Sequence, residues 1–156
     1  MANESIDAID RSILRTLVAE GKIKNKDLAE RVALSASPCW QRVRRLEEEG
    51  YITGYSAILD PERLGAPDTV FVEIQMDKHD AHHPEELGAA LAALDEVLEI
   101  HLTTGSYDYI LKVAVYGTKG FEEFIRGKLS KISGIRHSRS SFALKCLKRA
   151  QVHIPD

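Results

Sequence analysis

The chain opens on a helical pattern. Ile6, Ile9, Ile13, Leu14, Leu17 and Val18 recur at the spacing of one helix face, Asp7 and Asp10 lie where negative charge favours a helix N-terminus, and Gly21 ends the run. A second, shorter helix follows, capped by Asn25, with Leu28, Ala29 and Val32 on its inner face; Leu34 and Ser35 fill the turn after it. A third helix is predicted to take Ser37 as its N-cap and Pro38 at its first position, where a missing N–H costs nothing. Cys39, Val43 and Leu46 form its buried stripe, which turns Gln41, Arg42 and Arg45 outward. After Gly50 the period falls to two, and Tyr51 to Asp60 reads as a strand pair around Thr53 and Gly54. Three helices with a small ribbon make a winged helix-turn-helix.

Two prolines and a glycine in Asp60 to Pro67 mark a linker, so residues 1–60 are predicted to form one domain, 61–67 the connection and 68–156 a second domain. The second half reads β, α, β, β, α, β: strands over Val70 to Met76, Val97 to Leu102, Tyr109 to Val115 and Ile135 to Leu147, helices over Pro84 to Leu94 and from Thr118 to Gly134. The fold class is therefore α+β, a winged helix-turn-helix joined to a ferredoxin-like βαββαβ sandwich. One face of that sheet has no helix to cover it, and a second copy of the same sheet is the cover the chain can supply, which predicts a homodimer.

Charge sharpens the reading of the first half. The whole chain is slightly acidic, at −3 with a pI near 6.1. Lys22 to Arg45, however, holds seven basic residues against two acidic ones, a local balance of +5. That places positive charge along a groove-reading helix, where double-stranded DNA is the partner it fits, with Ser37, Pro38, Gln41, Arg42, Arg44 and Arg45 as the contact residues. Glu47, Glu48 and Glu49 restrict the contact to the front half of the helix. A charged, solvated face on an ordinary helical hairpin is the plainer alternative. No apolar run reaches the roughly 20 residues of a membrane span, and the polar start predicts a cytoplasmic protein without a secretory leader. Two distant cysteines argue against a disulfide framework or a zinc site, and Cys39 in the apolar stripe reads as a buried thiol rather than a redox switch. His79, His82 and His83 read as part of a solvated loop, with no metal, and Trp40 as packing for the three-helix core. No catalytic constellation stands out, so the chain is not read as an enzyme and no cofactor is expected.

Ile6 to Leu14, Ser37 to Glu47, Gly50 to Tyr55 and the turn from Thr104 to Tyr109 together resemble the leucine-responsive and asparagine-responsive transcription regulators, the Lrp/AsnC family. The resemblance implies a sensing domain that binds a small amino acid between neighbouring subunits and assembles into dimers, often octamers. It implies an effector site made by the turn Thr104, Gly105, Ser106, Tyr107 and Asp108, with hydroxyls from Ser138 and Ser140. Backbone N–H groups at a glycine turn can hold an α-carboxylate, and Asp108 can answer an α-ammonium; alternatively Asp108 satisfies local backbone in a simple hairpin. Ser138 and Ser140 stand where the family usually has threonine, which leaves room for a different effector. Ser37 to Trp40, Ser140 to Lys145 and the His153 to Pro155 tail resemble the cysteine-responsive members and point to L-cysteine. Two rivals remain: an architectural DNA protein without an effector, and a decarboxylase of a haem precursor with similar architecture.

Overall fold

The computed structural model describes residues 6–77, 84–150 and 152–155. The three histidines of the polar loop, His79, His82 and His83, lie outside the described residues. No described helix is long and apolar enough to cross a membrane.

The chain divides into two units. The division falls after Ile58, and the chain from Lys148 onward groups with the first unit. In that unit, Arg15 on the first helix donates to the carbonyls of Ile154 and Pro155, at 3.4 and 3.5 Å.

The first unit contains α1 (Ala8–Ala19), α2 (Asn25–Arg31) and α3 (Ala36–Glu48). Ile13, Leu28, Ala29, Val32, Cys39 and Leu46 are its buried core. The start of α1 is fixed by a capping box in which the Asp7 carboxylate accepts from the Asp10 N–H at 2.8 Å and the Asp10 carboxylate from the Asp7 N–H at 3.1 Å. Two helix starts differ from expectation. Lys24, not Asn25, precedes α2, and the Asn25 amide instead donates to the Ala36 carbonyl at 2.8 Å, tying α2 to the first turn of α3. Ser35, not Ser37, is the N-cap residue of α3, and the Cys39 N–H bonds back to the Ser35 carbonyl at 3.2 Å. Pro38 still sits in the first turn, where its missing N–H breaks no helical bond. Tyr51 to Asp60, expected as a strand pair, carries no strand in the structure. Tyr51 and Ile52 pack on the helices and the Tyr55 hydroxyl donates to Glu47 at 2.8 Å, while Ile58 and Leu59 stay exposed, so the alternation does not supply a continuous apolar face.

The second unit is the predicted sandwich. Strands β1 (Asp68–Met76), β2 (Val97–Leu102), β3 (Tyr109–Val115) and β4 (Ile135–Phe142) form one antiparallel sheet in the order β2-β3-β1-β4, accompanied by α4 (Pro84–Ala92) and α5 (Gly117–Gly127). Alternate residues of β1 and β3, from Val70 to Met76 and from Tyr109 to Val115, bury their side chains against Leu87 and Leu91 of α4 and Phe124 of α5. The other face carries Phe71, Glu73, Gln75, Ile110 and Lys112. Strand β4 stops at Phe142 rather than at Leu147. Val70 pairs with Phe142, and the Ala143 N–H still bonds to the Thr69 carbonyl at 2.8 Å before the chain leaves the sheet.

Candidate functional site: nucleic-acid interface and ligand turn

Helix α3 presents Ser37, Pro38, Trp40, Gln41 and Arg44 to solvent. The outward placement expected for Arg42 and Arg45 is corrected. Arg42 Nη1 binds Asp7 Oδ2 at 2.7 Å and Asp10 Oδ1 at 2.8 Å, and Arg45 Nη2 binds Asp10 Oδ2 at 2.5 Å. Asp10 is 1% exposed, so its carboxylate is satisfied only by these partners and the Asp7 N–H. The reason lies in which side of α3 faces α1: Arg42 and Arg45 lie on the side toward Asp7 and Asp10, whereas Arg44 lies on the other side of the Cys39–Val43–Leu46 stripe and Gln41 opposite it. The Asp10 N–H, followed by Arg42, holds the Asp7 carboxyl below its ordinary value, and the same carboxylates raise Arg42. These pairs fasten the recognition helix to α1.

Arg44 is differently placed. Its partner Glu48, at 2.7 Å, is as exposed as Arg44 itself, 63% against 61%, so that ion pair exchanges readily for a phosphate. The Arg44 guanidinium also lies over the Trp40 ring, 5.4 Å from its centre. Trp40, expected in the core, is half-exposed and lines an open cleft of about 520 Å³ with Leu17, Leu28, Val43 and Tyr55. Burial pushes the Cys39 thiol up, which keeps it protonated and unreactive. Ser37 has become an exposed residue inside the first turn and caps nothing. Ser37→Ala is therefore expected to change stability by less than about 0.5 kcal/mol, measured by urea denaturation; a loss of about 1 kcal/mol would restore it as the cap.

In the second unit, the turn between β2 and β3 docks on the end of β1. Asp108 N–H donates to the Ile74 carbonyl at 2.8 Å, and Asp108 Oδ2 accepts from the Met76 N–H at 2.7 Å. Asp108 Oδ2 thus serves the backbone of β1. Thr103 closes the turn, its N–H bonded to the Asp108 carbonyl and its hydroxyl to that of Tyr107. Gly105 has φ +140, a conformation that a side chain disfavours, and Thr104, Gly105 and Ser106 are exposed. Ser138 pairs with Ile74, the residue on which the turn docks, and Ser140 with Val72 one step along. The register brings Ser138 to the turn and sets Ser140 farther down the same face of edge strand β4, Ser138 half-buried and Ser140 exposed. Sequence reasoning missed Gln75 and His137. Gln75 Nε2 donates to the Ser106 carbonyl at 3.3 Å, and the His137 ring stacks on Tyr107 with centroids 6.4 Å apart.

Residues 6–53 match the family model of winged helix-turn-helix DNA-binding domains, and residues 69–152 match that of the Lrp/AsnC ligand binding domain. A leucine-responsive regulatory protein of Haemophilus influenzae is 40% identical over 147 residues, covering 94% of this chain and 89% of its own length. A transcriptional regulator from Neisseria meningitidis, solved with L-methionine, superposes with a TM-score of 0.89 at 33% identity, covering 94% of this chain and 95% of its own. A feast or famine regulatory protein from M. tuberculosis, also complexed with L-methionine, gives a TM-score of 0.84 at 33% identity, covering 96% of this chain and 99% of its own. The relatives are named as regulators, which sets the decarboxylase alternative aside. With both of its domains matched in the expected order, the chain belongs to the Lrp/AsnC family of DNA-binding transcriptional regulators.

Proposed function

We propose that the chain reads DNA through the exposed face of α3 and that a small amino acid, bound at the Thr104 to Asp108 turn, modulates this binding. The observation that carries the second part is the turn itself: docked on Ile74 and Met76, it exposes the Thr104–Ser106 backbone beside Ser138. Such a turn holds an α-carboxylate through backbone N–H groups, with Ser138 and Ser140 left to meet the rest of the ligand. Asp108 acts as the anchor of the turn. The L-methionine complexes of two relatives support an amino acid as the ligand class. L-Methionine and, from the motif resemblance, L-cysteine are the first to test. The accessible edge and the uncovered sheet face support a site completed by a second copy, hence a homodimer or a larger assembly such as an octamer in the cytoplasm.

For DNA, the account selects Gln41 and Arg44, with Ser37 and Pro38 at the helix start, and assigns Arg42 and Arg45 to holding the helix. Gln41→Ala and Arg44→Ala are each expected to weaken binding to a duplex selected from a random pool by about 1–3 kcal/mol, with unfolding unchanged. Arg44→Ala also flattens the salt dependence if its contact is a phosphate. Fluorescence anisotropy checks this; wild-type affinity in both variants would return the contact role to Arg42 and Arg45.

A further inference from the structure

The turn is short, exposed and built around a glycine at φ +140, and the Thr103 bonds to Tyr107 and Asp108 close only its base. Two anchors, the Asp108 links to Ile74 and Met76, fix only its exit. The part that faces a ligand, Gly105 and Ser106, is held from elsewhere. Gln75 and His137 are paired across β1 and β4, so they lie side by side on the sheet face opposite Ser138 and Ser140. From there Gln75 takes the Ser106 carbonyl, and His137 stacks on Tyr107 at an interplanar angle of 28°. A half-buried Tyr107 is thereby gripped from the sheet face without helices, while Ser138 lies at the edge of the face it shares with Ile74.

We propose that Gln75 and His137 are positioning residues for effector binding: they set the Gly105–Tyr107 backbone before the ligand arrives and do not touch the ligand. This rests on the effector reading of the turn. A site ordered in advance loses less freedom on binding, so removal of either grip weakens the ligand without removing a ligand contact. His137 acts through the shape and face of its ring, so another aromatic ring replaces it.

The test is calorimetric titration of the full chain with L-methionine, after the wild type has been screened against the twenty amino acids and any better ligand substituted. His137→Ala is expected to lower affinity by roughly two- to tenfold, the range an aromatic pair provides, and His137→Phe to restore it. Gln75→Ala is expected to lower affinity similarly. Sedimentation and thermal unfolding of each variant should match the wild type, because His137 is exposed. Wild-type affinity in His137→Ala, or a failure of His137→Phe to restore it, would overturn the positioning role while leaving the effector site standing. A wild type that binds none of the twenty amino acids would overturn both.

Discussion

Asp10→Ala is expected to destabilise the first unit by about 3 kcal/mol and to weaken DNA binding with it. The Asp10 carboxylate is 1% exposed and joins Arg42, Arg45 and the Asp7 N–H, so one substitution strips two guanidiniums of a shared partner and opens the capping box of α1. Removal of one member of a buried ion pair costs about 3–5 kcal/mol, and loss of a helix cap about 1 kcal/mol. The sum is reduced here because the Arg42 and Arg45 side chains, 30% and 41% exposed, can turn to water. Asp10→Asn keeps the shape and part of the hydrogen bonding, and should fall between wild type and alanine. Urea denaturation followed by Trp40 fluorescence reports on the first unit, since Trp40 is the only tryptophan. An unchanged midpoint in Asp10→Ala would mean that the arginines hold α3 without it, and the fastening role would fail.

The second large effect falls on the turn Thr104 to Asp108, the proposed effector site. Gly105→Val should abolish the response to an amino acid while leaving DNA binding in its absence intact. A Cβ at Gly105 would meet nothing within 4 Å in this chain, so the effect does not come from a clash. It comes from φ +140, which a β-branched residue resists at a cost of about 1–3 kcal/mol. The turn relieves that strain by moving away from Ser138, taking the exposed N–H groups with it. Titration with L-methionine should show affinity lowered at least about tenfold, which corresponds to about 1.4 kcal/mol of that strain. Retention of full affinity would move the ligand site off the turn.

The elements that carry these residues were largely legible in the sequence. Periodicity located α1 to α5 and the four strands, most plainly β1 and β3, which bury alternate apolar residues, and less plainly β2 and β4, whose burial does not alternate; the glycine turn fell where the register put Ile74 and Ser138 beside it. What periodicity could not show was reach. Arg42 and Arg45 read as outward because they are not apolar, yet their partner Asp10 lies more than 30 residues earlier and only the packing of α1 on α3 joins them. Asp7 and Asp10 were legible as helix-start residues, but not as the other half of that network. The start of α3 was ambiguous for a local reason, since Ser35 and Ser37 are both good caps and only the Ser35 carbonyl to Cys39 N–H bond decides between them. The ribbon after Gly50 failed because alternation alone does not supply a surface to bury against. Gln75 and His137 act across strands, and their partnership exists only in the register of β1 with β4.

The central claim is that one amino acid changes how this chain holds DNA. Anisotropy of a selected duplex, titrated with protein at increasing L-methionine and then with each of the other amino acids, tests it most directly. The account predicts that at least one amino acid shifts the DNA affinity saturably, by about fivefold or more, and that Gly105→Val removes the shift while keeping the effector-free affinity. An affinity that stays the same under all twenty amino acids at saturating concentration would contradict it and leave a DNA-binding protein that senses none of them.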